Sequence, residues 1–415
     1  MKIQTKKYLI MIGISIVVGF LFGKDLPNNN LQRVSVVDEL TMPTQSVINI
    51  NNMAYWIKKS SSGTTSGSPN GTQVDYPKGT GGLIYEDGML WGVKVTDGNS
   101  ESPRVGGTTY YSGLKAGRVV YSDGVVIGST DPVTHHVWRV RTDYETVDLK
   151  SDAGNFLMES DPSDAQIQGV YDQYEYDWNN WPADWGAPYE DVNNDGLYTP
   201  AVWDAALESW DNGDIPGYPG AAQTLWVVAN DVPVIVDASG TPTDTLETAI
   251  NVYGSDPVGI ELQVTMWAYK FAATNPLGNI VFKLARIKYT GLPTGYNDFD
   301  PEIAHLDTVY FTQWSDPDLG TYTDDYVGCD IDLSFGYVYN GNTLDGVFNG
   351  IYQLPVPAGG YDFLQGPITA DGDTLGMTSF TYFGAGSAIS DPDLSDYEGT
   401  LQFFNLMEGF LPRPE

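Results

Sequence analysis

The chain has 415 residues, carries 54 Asp and Glu against 20 Lys and Arg, and has a formal net charge of −34. That balance argues against nucleic acid, which needs a basic footprint, and against anionic membrane surfaces. A hydrophobic content of 41%, with 27 Tyr, 15 Phe and 11 Trp, argues against global disorder and suits two domains or one large β domain. The acids are unevenly placed. Between Ser151 and Pro412 there are 40 of them and four basic residues, Lys270, Lys283, Arg286 and Lys288. A folded surface that acidic repels itself unless cations sit among the carboxylates, although salt-adapted proteins are broadly acidic as well. Cys329 is the single cysteine, so no intrachain disulfide forms and stability rests on packing and bound metal.

Lys2, Lys6 and Lys7 followed by the apolar run Tyr8–Phe22 read as a secretory signal peptide ending near Gly23. The run is short for a spanning helix, so no stable membrane insertion is expected after cleavage, and the mature chain is expected to be secreted or on the outer cell surface. From 24 to 150 the pattern is short strands and Gly-rich turns. Ser46–Ile57 and Val137–Thr142 read as strands. Asp87-Gly88 and Asp123-Gly124 read as hairpin turns between Leu83–Tyr85 and Met89–Val95, and between Val119–Tyr121 and Val125–Ile127.

The region 151–220 differs in character. Ser163 with Gln166 fits a capping box, and Ile167, Val170, Tyr171, Tyr174, Trp178 and Trp181 recur at helical spacing. The spacing predicts one main helix ending near Pro182, and a short second helix over Ala201–Trp210. Between them, Asp191, Asn193 and Asp195 place oxygens at positions one, three and five of a loop with Gly196 at six. The Leu197 carbonyl is available at seven. This is the spacing by which a loop wraps calcium, but the twelfth position is Val202, so Asp204, Asp211 or Asp214 would have to close the shell. An ordinary Asn/Asp/Gly turn has the same composition.

From 221 to 415 strands dominate. Ile260, Leu262, Val264, Met266 and Ala268 alternate with Glu261, Gln263, Thr265 and Trp267, a period of two. Leu225–Ala229, Asn279–Tyr289, Leu306–Trp314 and Ile331–Tyr339 follow suit. The second acid string holds Asp316, Asp318, Asp324 and Asp325, with Asp330 and Asp332 beyond. So many carboxylates at close range require raised pKa values or a cation, and a second calcium site competes with a solvated acidic loop. Ser-Asp-Pro-Asp-Leu occurs at 315–319 and again at 390–394.

Six tryptophans fall within 178–226, beside the first acid loop. Trp178, Trp181 and Trp185 could line a sugar-binding cleft, or pack the helix onto a sheet as aromatics at helical spacing usually do. His135 and His136 are adjacent and point to opposite faces if in a strand. No hydrolase, zinc, phosphate-loop or dinucleotide fingerprint is present.

The strings N-N-M-A-Y-W at 51–56, R-V-G-G-T-T-Y at 104–110, D-W-G-A-P-Y at 184–189 and Q-T-L-W at 223–226 resemble a family of large secreted bacterial proteins. So do S-D-P-D-L-G at 315–320, D-D-Y-V-G-C-D at 324–330 and Y-D-F-L-Q-G-P at 361–367. Members are commonly exported by the type IX secretion system and have no assigned activity. The resemblance implies an outer-surface protein with calcium loops as structural staples, and a longer gene product with further β domains and a sorting domain. It supplies no reaction.

The combined expectation is a mainly β protein, an antiparallel β-sandwich-type architecture with one short helical, acidic-loop insertion. It would act as a calcium-stabilised structural or binding module. Other surface proteins or an extracellular polysaccharide are the expected partners. The alternative is a polysaccharide-active enzyme or carbohydrate-binding module built on 178–226.

Overall fold

The computed structural model describes residues 42–246, 253–384, 387–393 and 396–412. The expected signal peptide lies outside them. Among the described residues no helix is long and apolar enough to cross a membrane.

The central sheet runs Trp138–Arg141, Gln223–Asn230, Ile260–Ala268, Phe282–Tyr289, each pair antiparallel, with Lys115–Ala116 added alongside Gln223–Asn230. Period-two alternation sends Leu225, Val227, Ile260, Leu262, Val264 and Met266 to one face. There they meet Ile48, Tyr55 and Ile57 of the hairpin Gln45–Ile48/Ala54–Lys58, and Trp91, Val93 and Val95 of the long strand Glu86–Thr96. Residues from before 150 and after 220 therefore share one core. The facing layer is a patchwork. Glu86–Thr96 pairs with His305–Asp316 on one side and Arg104–Gly107 on the other, and a further sheet orders Asp325–Asp330, Phe335–Asn340 and Ala358–Asp362. The chain is thus a mainly β, antiparallel β-sandwich-type protein. Among the described residues two pairings depart from that rule: Ile235 with Ser129 and the isolated bridge of Pro200 with Asp214 are parallel.

Helices cover both outer faces. On the central sheet, Trp138, Val140, Trp226 and Val228 are packed by α1 (Lys150–Leu157) and α2 (Asp164–Asn179). The capping box forms as the sequence predicts, with Ser163 accepting from Gln166 N and the Gln166 side chain accepting from Ser163 N. Val170, Tyr174 and Trp178 form the buried stripe. Two helix carboxylates then reach the sheet. Asp177 accepts from His136 Nε2 (2.9 Å) and Arg139 N (2.7 Å). Asp152 pairs with Arg139 and Arg141 and accepts from Tyr174 and Asn49. Burial pushes the Asp152 carboxyl up, but the two guanidiniums and these hydrogen bonds more than offset it and hold it well below the carboxylate range.

On the opposite side, α3 (Tyr397–Met407) lays Phe403, Phe404 and Met407 against Leu90 and Trp314. Gly92 makes this possible, since a Cβ there would stand 2.7 Å from Met407 Sδ and 2.9 Å from Phe404 Cδ2. Nothing in the periodicity reading anticipated this helix.

Four local expectations fail. Ile331–Tyr339 is not one strand, since Ile331–Ser334 turns the chain between Asp325–Asp330 and Phe335–Asn340. Ala201–Trp210 is not helical but a hairpin pairing Trp203–Asp204 with Ser209–Trp210. Asp204 Oδ1 accepts from Ala206 N and Leu207 N to close the turn, while Trp203 and Trp210 meet edge to face at 5.2 Å. Ser46–Ile57 is two strands joined by a turn rather than one. Asp87-Gly88 is no turn either. It lies inside Glu86–Thr96, where Asp87 is buried and accepts from Tyr361 (3.0 Å), Gln73 (3.0 Å), Tyr55 and Lys283. Gly88 is needed there because any Cβ would meet the Thr108 carbonyl at 2.1 Å. Asp123-Gly124, by contrast, does turn the Val119–Ser122/Val125–Ser129 hairpin.

Candidate functional site

The strongest chemical anomaly lies where His305–Asp316 ends against the start of Glu86–Thr96. Asp316 is directly opposite Glu86, and both are buried. Asp316 is 6% exposed. Its Oδ2 accepts from the Tyr110 hydroxyl (2.6 Å), but its Oδ1 is buried with no hydrogen-bond partner among the described residues. Burial first, then the charge of Asp318, pushes the Asp316 carboxyl up to about 8, with Glu86 and Asp391 adding to the effect. Burial likewise raises Glu86 to about 7. Asp391 belongs to the second Ser-Asp-Pro-Asp copy. Asp391 Oδ1 is also buried without a partner among the described residues.

Asp325 repeats the pattern on the far side of Asp318. Its Oδ2 accepts from Leu319 N (2.8 Å), its Oδ1 has no partner among the described residues, and burial lifts the carboxyl to about 7. Asp318, Asp324 and Asp345 contribute charge to that rise. Asp345, not singled out from the sequence, is held by Thr321 N, Val347 N and Phe348 N. Asp324 is turned toward the Asn340–Asn342 turn, where both asparagine side chains donate to it. Asp318 acts by its charge on both Asp316 and Asp325, Asp324 is bonded to the Asn340–Asn342 turn, and Asp330 lies at the other end of its strand. The donor set is all oxygen, which suits a hard cation such as calcium. Among the described residues, however, no three acidic, histidine or cysteine side chains already converge on one ion-sized point.

The first acid loop is exposed and self-bonded. Asp191 accepts from Asp195 N and Gly196 N, Asn193 Oδ1 from Asp195 N (2.8 Å), and Asp195 Oδ1 from Leu197 N (2.8 Å). Of the three acids considered as closing ligands, Asp214 is the one brought to the loop. It is fully buried and spans the loop base, accepting from Val192 N (3.0 Å) and Thr199 N (2.7 Å). Asp204 and Asp211 serve turns of their own. Asn193, Asp195 and Leu197 are exposed residues.

The tryptophans divide. Trp178 and Trp181 are core residues, 1% and 3% exposed, with their indole N–H groups donating to Ala201 O and Pro188 O. Trp178 stacks on Trp210 at 4.1 Å. Neither can meet a sugar. Trp185 is half-buried, with the Arg118 guanidinium over its ring at 4.3 Å. Next to it opens a groove of about 620 Å³ between the Ala183–Tyr189 turn, Tyr218–Pro219 and Arg286 of the edge strand. Tyr218 caps a column of rings, lying 3.8 Å from Trp267 at 7°, and Trp267 lies 5.3 Å from Phe282 at 13°. Tyr218, Trp267 and Arg286 were not singled out from the sequence. They are separated by up to 68 positions, and only the sheet register that pairs Trp267 with Phe282 and Gln263 with Arg286 assembles them.

A second surface was also missed. Phe335, Tyr337 and Tyr339 alternate along one face of their strand, and Tyr326 sits opposite Tyr339, 58% exposed. The Tyr337 ring lies across Gly328, where a Cβ would come within 2.5 Å of it. Rings lying over glycines shield the backbone, so this face has a structural account.

The two histidines do face apart, His135 bonding Thr130 Oγ1 and His136 bonding Asp177. The chain matches no protein-family model, no curated protein and no solved structure.

Proposed function

We propose that the chain is a secreted or outer-surface β module whose acid clusters take up calcium, and that it serves as a structural or binding unit of the cell surface. The observation that carries the calcium reading is the Asp316 carboxylate, buried with Oδ1 unpartnered and three further carboxyls, Glu86, Asp318 and Asp391, acting on it. A buried carboxylate in that position either keeps a proton at neutral pH or shares a cation, because an unpaired buried charge is strongly disfavoured. Calcium accepts six to eight oxygens in adaptable geometry, whereas magnesium demands a stricter octahedron, and Asp316, Asp318 and Asp325 are the carboxylates assigned to it in this reading. Asp191, Asn193, Asp195 and the Leu197 carbonyl are the second set, with Asp214 holding the loop base in place. The signal-peptide pattern at 1–23 and the resemblance to proteins exported by the type IX system support the location, where calcium would take over the role that disulfides play in other secreted proteins.

Calorimetric titration of the metal-free chain with calcium tests the reading. Uptake is expected, with one site lost in Asp316→Asn and a different one in Asp191→Asn. No heat of calcium binding in the wild-type chain contradicts it.

A further inference from the structure

We propose that the groove beside Trp185 binds an acidic sugar unit, its carboxylate on Arg286 and its ring against Tyr218. The reasoning is independent of the calcium reading and begins with where the cations are. Four basic residues lie between Ser151 and Pro412. Lys270 is paired with Asp143 (2.6 Å), and Lys283 turns inward to Asp87. The remaining two, Arg286 and Lys288, alternate to the same outer face of the edge strand Phe282–Tyr289. Lys288 lies over the Tyr121 ring at 4.7 Å, and across the turn Arg118 lies over Trp185. In a chain of net charge −34, Arg286 is the cation that lines the groove, while Lys288 stands opposite Glu261. Arg286 is exposed and donates one hydrogen bond from Nη1 to Gly186 O (3.2 Å). Most of the five donors of its fork stay available to a ligand.

The walls specify the rest. Tyr218, backed by Trp267 and Phe282, is a flat platform, and Tyr189 and Pro188 also line the groove. An aromatic platform suits the C–H face of a pyranose, and a guanidinium fork suits a carboxylate bidentately. A volume of about 620 Å³ accommodates a few sugar units. A neutral sugar would leave the guanidinium without a counter-charge. A densely charged polyanion would be repelled by the surrounding acids. A uronic acid, with one carboxylate per ring, meets both conditions.

The test is calorimetric titration of the full chain with tri-galacturonate and with the matched neutral tri-galactoside, in wild type, Arg286→Gln and Arg286→Lys. The uronate is expected to bind about tenfold or more tighter than the neutral sugar, the margin of a charged hydrogen-bonded pair, and to lose that margin in Arg286→Gln. Arg286→Lys is expected to recover part of it. Because Arg286 is on the surface, unchanged thermal unfolding confirms that each variant folds. Equal affinity for the two sugars, uronate binding that survives Arg286→Gln, or no binding of either overturns the proposal. So does a tri-glutamate peptide that binds as tightly as the uronate, since the groove would then select carboxylate without sugar.

Discussion

Asp316 and Glu86 face each other across an antiparallel register with both carboxyls buried and both held above the ordinary carboxylate range, to about 8 and about 7. Asp325 is raised to about 7 nearby. A raised folded-state pKa means the native state holds its proton longer than the unfolded chain does. The stabilising contribution is full below the unfolded value of about 4 and is lost as pH climbs through 7 to 8. In chelator, this contribution to the unfolding free energy is therefore expected to fall from about pH 4 to about pH 8 and to level off above that. Asp316→Asn removes one of these charges while keeping an acceptor for Tyr110. It is expected to flatten that slope and to stabilise the metal-free chain at pH 8 by on the order of 1–2 kcal/mol, read by urea unfolding. An unchanged slope in the variant would show that Asp316 does not titrate in this range.

Asp152 has the opposite sign. Its folded pKa is depressed by Arg139 and Arg141, so its contribution is present above about pH 4 and lost as pH falls below that. Asp152→Ala leaves the buried Arg139 guanidinium without a counter-ion, while Arg141 keeps Asp143, and is expected to cost about 3–5 kcal/mol. Since α1 and α2 are pinned through this carboxylate, amide exchange should rise first in 150–179. A cost below about 1 kcal/mol would mean the helices are held by packing alone.

Gly92 is where α3 approaches the second layer. Gly92→Val forces Phe404 and Met407 away from the strand and is expected to cost about 1–3 kcal/mol, with Gly92→Ala at the low end. Near-ultraviolet dichroism of the Trp314–Phe404 region should weaken in step. Retention of full stability in the valine variant would place α3 elsewhere in solution.

Much of this architecture is legible in the sequence, and the failures share a cause. Ile260–Ala268 and α2 could be read because each is long, strongly periodic and, in α2, capped by Ser163 and Gln166. Asp87-Gly88 has turn chemistry, but Asp87 is recruited by Tyr55, Gln73, Lys283 and Tyr361, residues up to 274 positions away, so tertiary contacts override the local preference. The same holds for α3, whose docking depends on a glycine more than 300 positions earlier, and for the groove, whose Arg286 and Tyr218 meet only through sheet register. Of the second acid string, the sequence pointed to Asp316, Asp318, Asp324 and Asp325; it did not point to Glu86 or Asp391, whose charges act on Asp316 from other strands and loops.

Asp214 is a buried pin under the first acid loop, bridging Val192 N and Thr199 N. Asp214→Ala leaves both donors unsatisfied at a cost of about 1–3 kcal/mol, and is expected to speed amide exchange at 191–199 without shifting exchange in the central sheet. Slow exchange in the variant would show that Asp191, Asn193 and Asp195 hold the loop by themselves.

The measurement that bears most directly on the account is thermal unfolding at pH 7.5 with calcium, with EDTA, and with magnesium at equal ionic strength. Cation binding to the native state alone raises the midpoint by mass action. The account predicts a midpoint several degrees higher in calcium than in EDTA, little recovery with magnesium, and a much smaller calcium effect in the Asp316→Asn, Asp325→Asn double variant. Identical midpoints in calcium and EDTA would contradict it, and would leave the buried carboxyls as protonated hydrogen-bonding groups in an acidic, salt-adapted protein.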